Sequence, residues 1–195
     1  MANKVKYGLS NVYYAVITKD ENDNITYGTP VKWAGAINLN ATASGETSTM
    51  YADNMPYFEV TANNGYTGTL ETALVPESFK KDVLGELEDA GGIVYEKSDV
   101  IAKQFALLFQ FEGDETATRH VLYNCTASRP DVASQTKEAS ITPVTETLNF
   151  SALPRPNDYI TKGRIADTTQ TAYTNWFTAV QVPEVTTNTP ANDGE

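Results

Sequence analysis

The sequence of 195 residues contains one cysteine and one histidine, and this scarcity excludes several kinds of site. A single cysteine cannot form a disulfide within the chain, nor can it supply the thiolates of a four-cysteine zinc site. A catalytic serine triad would have to use His120, because the chain has no other histidine. We therefore expect no metal centre and no cofactor.

Positive charge is scarce as well, since 14 lysines and arginines stand against 25 aspartates and glutamates, which gives a net charge of −11. A surface that holds nucleic acid needs clustered positive charge to contact the phosphates. Anionic membranes attract basic segments for the same reason. The composition therefore argues against nucleic-acid binding and against docking on a membrane.

Long hydrophobic runs and catalytic motifs are both missing. The longest strongly apolar stretch, residues 105–109, is far too short to cross a bilayer. The first residues contain no continuous apolar segment, so we expect no signal peptide. The sequence has no phosphate-binding loop, no dinucleotide fingerprint and no zinc-protease helix motif. We therefore expect a protein that is not an enzyme.

What the sequence does contain is alternation of apolar and polar residues, the pattern of half-buried strands. Thr, Val and Tyr dominate these runs, and all three favour strands. The predicted apolar faces are Val31, Trp33, Ile37 and Leu39; Tyr66, Leu70 and Leu74; Phe105, Leu107, Phe109 and Phe111; Val121, Tyr123, Cys125 and Ala127; Val144, Leu148 and Phe150; and Trp176, Val180 and Val182. Residues 12–18 predict a strand buried on both faces, and Asn-Asn-Gly at 63–65 predicts a hairpin between strands at 57–62 and 66–75.

One segment, residues 76–88, predicts a helix instead. Pro76 suits a first helical position, and Glu77 suits the positive end of the helix dipole. Gly91-Gly92 would end the helix. Its apolar stripe would consist of Phe79, Val83, Leu84 and Leu87. We therefore expect a mainly β protein, an antiparallel β-sandwich or barrel with one flanking α-helix, in a single domain over residues 1–183.

Two segments lack a packing pattern. Residues 40–56 are mostly small and polar, and a loop of this length in a compact domain is usually functional or disordered. Residues 184–195 are rich in Thr and acids, so we expect a flexible C-terminal tail.

His120 and Cys125 are the one histidine and the one cysteine of the sequence, and we expect both to be structural. No nucleophile or orienting carboxylate can be assigned to His120, so we expect a residue on a strand surface or partly buried. Cys125 falls on a predicted apolar face and should be an inert, small hydrophobic residue.

Short segments follow one another in a specific order over nearly the whole chain, to about residue 182. They are residues 7–15 (YGLSNVYYA), 25–31 (ITYGTPV), 51–54 (YADN), 63–68 (NNGYTG), 81–85 (KDVLG), 105–109 (FALLF), 119–125 (RHVLYNC) and 175–177 (NWF). In this order they resemble the major tail proteins, or tail tube proteins, of long-tailed bacteriophages that infect Gram-positive bacteria.

The resemblance implies a structural virion protein with a β-sandwich and a flanking helix. Six copies would close into a ring, and stacked rings would form the tail tube around the tape measure protein. The tube would be assembled in the host cytoplasm with other tail proteins. DNA would pass through the tube during ejection without being bound specifically, and no membrane would be a partner.

Within that interpretation, the loop at 40–56 would reach an adjacent subunit or ring and order on assembly. Its apolar anchors would be Met50, Tyr51, Met55, Tyr57 and Phe58. An alternative is that Tyr57 and Phe58 begin a core strand.

Acidic side chains on the wall of such a tube would repel phosphates and let the duplex slide. Glu71 and Glu112 each stand opposite a predicted apolar face and are the candidates for this position. An alternative is that both are ordinary solvent-facing acids.

Two other functions stay open. A β-sandwich carbohydrate-binding or adhesion module would expose its aromatic residues in one shallow patch. Another ring-forming injection component, such as a secretion-tube protein, would also assemble into rings but would not be part of a virion.

Overall fold

The computed structural model describes residues 3–21, 24–136 and 143–183. The predicted tail at 184–195 lies outside the described residues. Within them, the elements in chain order are β1 (Lys6–Lys19), β2 (Ile25–Tyr27), β3 (Val31–Lys32), β4 (Ala36–Ala43), β5 (Thr47–Ala52), β6 (Met55–Thr61), β7 (Tyr66–Thr72), α1 (Glu77–Phe79), a π-helical turn (Lys80–Leu84), β8 (Leu87–Glu88), β9 (Val94–Tyr95), β10 (Phe105–Gly113), β11 (Thr118–Ala127), β12 (Glu146–Ala152), β13 (Lys162–Ile165) and α2 (Thr171–Thr174).

A nine-stranded antiparallel sheet organises the chain, with the order β2-β1-β10-β11-β12-β7-β4. Strand β3 pairs with β1, and β13 pairs with β11. The sheet curves, so that β4 at one edge approaches β1 near the other. The prediction of a mainly antiparallel β fold with a flanking helical segment is confirmed. In the described part of the chain, no helix is long and apolar enough to cross a membrane.

The sheet separates two hydrophobic cores. The main core, inside the curve, holds side chains from β1, β7, β10, β11 and β12 and from the helical segment at 77–84. The second core, on the opposite face, consists of Ala15, Ala106, Leu108, Val121, Tyr123 and Trp176. Strands β1 and β10 therefore face apolar surroundings on both sides, which confirms the prediction for residues 12–18.

The predicted apolar faces are confirmed for β10 and hold only in part elsewhere. Phe105, Leu107 and Phe109 lie in the main core. Ile37 is exposed, because the pairing of β4 with β7 shifts register beside it. Leu74 is exposed because it follows the end of β7.

Strand β11 departs from its predicted alternation. Val121 and Tyr123 face the second core, but Cys125 faces the main core. Leu122 pairs with Leu107 and Cys125 with Phe105, so two residues of β11 stand opposite one residue of β10. This bulge moves every later side chain of β11 to the other face of the sheet.

The helix predicted at 76–88 is shorter than expected. Helical structure ends at Leu84, because Gly85 adopts a left-handed conformation with φ of 78°. A side chain at position 85 would also collide with Val100, since its Cβ would lie 2.3 Å from Cγ1 of that residue. Phe79, Val83 and Leu84 are buried as predicted. Leu87 lies in β8 and is exposed, and Gly91-Gly92 does not end the helix.

The segment at 171–183 was predicted to end in a strand and does not. Its first residues form α2, preceded by a turn in which the Asp167 carboxylate accepts the Thr169 N–H at 3.0 Å. Trp176 follows this helix, and its indole N–H donates to the His120 carbonyl at 3.2 Å. The alternation of Trp176, Val180 and Val182 therefore does not mark a strand, because Trp176 and Val180 pack in the second core from a turn and an irregular segment while Val182 is exposed.

Replacement of Phe79 by alanine tests the main core. The Phe79 ring lies 4.7 Å from Trp33 and 5.1 Å from both Tyr14 and Phe105, measured between centroids. We expect Phe79→Ala to lower the free energy of unfolding by about 3–5 kcal/mol in urea denaturation. The control Ile93→Ala, at a residue that is 64% exposed, should change it by less than about 0.5 kcal/mol. Equal effects would contradict the assigned packing.

Candidate assembly surfaces

Residues 44–65 form a hairpin that extends beyond the sheet, here called the hairpin arm. Strands β5 and β6 pair with each other, while β4 pairs with β7. Hydrogen bonds from Ser44 N to Gly65 O (2.8 Å) and from Ala62 N to Glu46 O (2.9 Å) join the two pairs of strands. The arm is therefore a continuation of the β4–β7 ladder.

The structure corrects two sequence predictions in this region. Residues 40–56 are not an irregular loop, because they belong to β4, β5 and the beginning of β6. The tight turn lies at Asp53-Asn54, where both residues have positive φ (53° and 61°), the conformation of a type I′ hairpin turn. The predicted hairpin at 63–65 is wrong, because the strand before it pairs with β5 and not with β7.

Between the base of the arm and the register shift beside Met50, one face of the arm is apolar and the other is polar, and beyond the shift Tyr51 adds an aromatic ring on the side of Thr49. Met50 pairs with Phe58 and Ser48 with Val60, and paired residues share a face. The opposite face carries the pairs Thr47–Thr61 and Thr49–Glu59. The sequence contains one sign of the apolar face. Phe58 and Val60 are two residues apart, and side chains at that spacing lie on the same face of a strand.

All five predicted anchors, Met50, Tyr51, Met55, Tyr57 and Phe58, are exposed. The alternative that Tyr57 and Phe58 begin a core strand is wrong, because they are 72% and 59% exposed. No arm residue belongs to either core of the described chain. The apolar face of the arm therefore packs on neither core of the described chain, and a two-stranded hairpin without such packing is only marginally stable.

A second surface, here called the polar face, covers the side of β4, β7 and β12 that points away from the main core. Its side chains form rows across the three strands, because the strands pair in register. The rows are Asn38, Glu71 and Thr147; Asn40, Thr69 and Asn149; and Thr42, Thr67 and Ser151. Hydroxyl and amide groups dominate the polar face, and Glu71 is the one charged residue among these nine.

The structure does not bring Glu71 and Glu112 together. Glu71 lies on the polar face, where its carboxylate accepts a hydrogen bond from Thr145 Oγ1 at 2.9 Å. Glu112 lies on β10, which β11 and β12 separate from β7 in the sheet order. Its carboxylate accepts hydrogen bonds from Ser10 Oγ (2.6 Å) and Gln110 Nε2 (2.9 Å), and these bonds lower the Glu112 pKa.

A third surface is a cleft of about 220 Å³ at the open side of the curved sheet, here called the basic cleft. His120 lies within it, stacked on Phe109 with 5.2 Å between ring centroids. Lys6 Nζ lies 5.5 Å from the Phe111 ring centroid, and Lys162 Nζ lies 4.7 Å from that of Tyr66. Sequence analysis missed this cleft, because its residues come from six separate strands.

His120 is partly buried, as predicted, and its surroundings disfavour its charge. Burial lowers the His120 pKa to about 4, and the nearby cations Lys162, Arg164 and Lys6 act in the same direction. The imidazole is therefore neutral at neutral pH. Cys125 is fully buried, and burial raises its thiol pKa. Among the described residues, no group of three or more His, Cys, Asp or Glu side chains could hold a metal ion.

Comparisons with known proteins identify no family. No protein-family model and no curated protein matches the chain. One solved structure with a similar chain is the cryo-EM structure of the anti-feeding prophage (AFP) baseplate, 6-fold symmetrised. That similarity has 11% sequence identity and a TM-score of 0.47, and it covers 85% of this chain and 97% of the other. At this level the likeness assigns neither a family nor a function.

The His120 environment predicts a pH dependence of stability. Between about pH 6.5 and 4 the unfolded chain binds a proton at His120 and the folded chain does not, so stability falls as the pH is lowered. The variant His120→Phe keeps a ring on Phe109 but cannot bind the proton. We expect its free energy of unfolding to fall by about 1–3 kcal/mol less than that of the wild type between pH 7 and pH 4.5. Urea denaturation at both pH values measures the difference. Parallel losses in the two proteins would contradict the low pKa.

Proposed function

We propose that the protein is a structural, non-enzymatic subunit of a phage tail. Copies would close into hexameric rings, and stacked rings would form the tail tube through which DNA leaves the virion. The observation that carries this proposal is the hairpin arm, which presents an apolar face without any support in its own subunit. The choice of a ring and a tube, among possible assemblies, rests on the resemblance of the sequence to tail tube proteins.

The arm provides an energetic reason to associate. Met50, Phe58 and Val60 are each more than half exposed on one face. Full burial of such a side chain contributes about 1.5–3 kcal/mol, so covering three of them stabilises an assembly appreciably. A contact between different surfaces of identical subunits forms a closed ring when the rotation between subunits closes.

The polar face fits the wall of a conduit. It carries no lysine or arginine in the rows described above, so it offers phosphates no cation. Glu71 adds a negative charge that repels DNA. The proposal therefore places Glu71 at the lumen. A position of Glu112 at the lumen stays a prediction, since this residue lies away from the polar face.

The proposed partners follow from the assembly. Each subunit binds copies of itself, the tape measure protein occupies the lumen before ejection, and other tail proteins contact the ends of the tube. The proposed location is the virion tail, after assembly in the host cytoplasm. The proposal involves no cofactor.

A second candidate function is a carbohydrate-binding or adhesion module. Tyr51, Tyr57 and Phe58 are exposed on the arm, and exposed aromatic rings can stack on sugars. This function requires glycan binding by the monomer, which a glycan array measures. The tail-tube proposal requires no such binding.

The apolar face of the arm gives the first test. We expect purified wild-type protein at high concentration to form rings or hollow tubes in electron micrographs. The variant Met50→Ser/Phe58→Ser/Val60→Thr should remain monomeric, because it lacks the surface that is buried on association. Its free energy of unfolding should change by less than about 1 kcal/mol, since these side chains are exposed in the monomer.

A matched control removes apolar surface elsewhere. The variant Ile93→Ser/Ile101→Ser/Val132→Thr changes three aliphatic residues outside the arm that are even more exposed than the arm residues, and it should assemble like the wild type. Normal tubes from the arm variant would refute the role of the arm. A wild type that stays monomeric, even with tail assembly partners, would refute the proposed function.

The polar face gives a second test. Tubes of Glu71→Lys should retain short duplex DNA on sedimentation at low salt at least about tenfold more than wild-type tubes, because each subunit adds a cation to the lumen. Asp99→Lys makes the same change of charge in an exposed loop and serves as the control. Equal retention by the two variants would show that the polar face does not line the lumen.

A further inference from the structure

The basic cleft concentrates positive charge in a strongly acidic chain. Lys6 and Lys162 each lie over an aromatic ring of the cleft, and Arg164 pairs with His120 across β13 and β11. Four ion pairs occur among the described residues, and none of them includes these three cations. The cleft itself therefore presents two cations, Lys6 and Lys162, that no carboxylate of the described chain neutralises through a salt bridge, and Arg164 lies outside it beside His120.

The floor of the cleft is apolar and aromatic. There Phe109 stacks on His120, the Phe111 ring meets both at about 60°, and Leu39 adds an aliphatic side chain from β4. A cleft with a floor of rings and a rim of cations fits a partner that is both apolar and acidic.

The hairpin arm has both of these properties. Between residues 44 and 65 the chain has Glu46, Asp53 and Glu59 and no lysine or arginine. Its apolar face carries Met50, Phe58 and Val60. The seven residues of β6 extend about 23 Å, at roughly 3.3 Å per residue, which is long enough to enter a neighbouring subunit.

The arm does not reach the cleft of its own subunit. Ala41 and Tyr66, at the base of the arm, form part of the cleft rim. From there the arm continues the β4–β7 ladder outward through the hydrogen bonds of Ser44 and Ala62. Folding back would break this ladder, so an arm that binds a cleft comes from another copy.

We propose that the hairpin arm of one copy binds in the basic cleft of another copy. This inference rests on the proposed function, because it names the surface that receives the arm during self-assembly. The apolar face of the arm packs on the rings of the cleft floor, and Glu46 and Asp53 of the arm approach Lys6 and Lys162 at the rim.

Charge exchange tests the pairing. Lys6→Glu/Lys162→Glu should raise the critical concentration for assembly by about tenfold or more, because acids then face acids, and Glu46→Lys/Asp53→Lys should do the same. Combining all four substitutions in one chain should restore assembly. Mixing the two double variants should also restore it, since each arm then meets a cleft of opposite charge. Assembly of both double variants at the wild-type concentration would overturn the pairing while leaving the proposed function intact.

Cross-linking tests the same contact without requiring tubes. Equal amounts of Phe58→Cys protein and Leu39→Cys protein should form a mixed disulfide under mild oxidation, because the two positions meet when an arm occupies a cleft. The control pairs Ile93→Cys, an equally exposed position outside the arm, with Leu39→Cys. A mixed disulfide with Ile93→Cys in the same yield would overturn the proposal.

Discussion

The burial of β10 on both of its faces is the constraint on which the rest of the structure depends. Its odd-numbered residues Phe105, Leu107 and Phe109 pack in the main core, and Ala106 and Leu108 pack in the second core. Both cores must therefore form together, since either one alone would leave half of the strand in water. The second core is closed by the residues around Trp176, which explains why a segment without strand structure is essential to a β fold.

The sequence predicts the parts of the fold in which alternation is undisturbed. Phe105 to Phe111 alternate cleanly, so their face could be assigned before the structure. The bulge in β11 could not be predicted, because the sequence around Tyr123 alternates in the same way with or without an unpaired residue. The arm was mistaken for a loop because Thr, Ser and Ala give no apolar alternation, although Asp53-Asn54 is a turn signal. The basic cleft could not be predicted, since Lys6 and Lys162 meet only through the folding of the sheet.

The charged residues are distributed over the surface less evenly than the net charge of −11 suggests. The excess of acids argues against a surface for nucleic acid, yet the polar face carries few charges of either sign. Acidic residues of the arm and basic residues of the cleft lie on separate surfaces of one subunit. In the proposed assembly, this separation would make the two surfaces complementary between copies.

The continuity of the arm with the β4–β7 ladder has a mechanical consequence. Strand β7 carries the polar face, and its hydrogen bonds to β4 and β12 run along its whole length. A pull on the arm from a neighbouring subunit would act parallel to these strands, so that the bonds on both sides of β7 would have to break at the same time. A two-stranded hairpin that opened from its tip would instead lose its bonds one by one. In the proposed assembly, tension between subunits would thus be borne by the hydrogen bonds on both sides of β7.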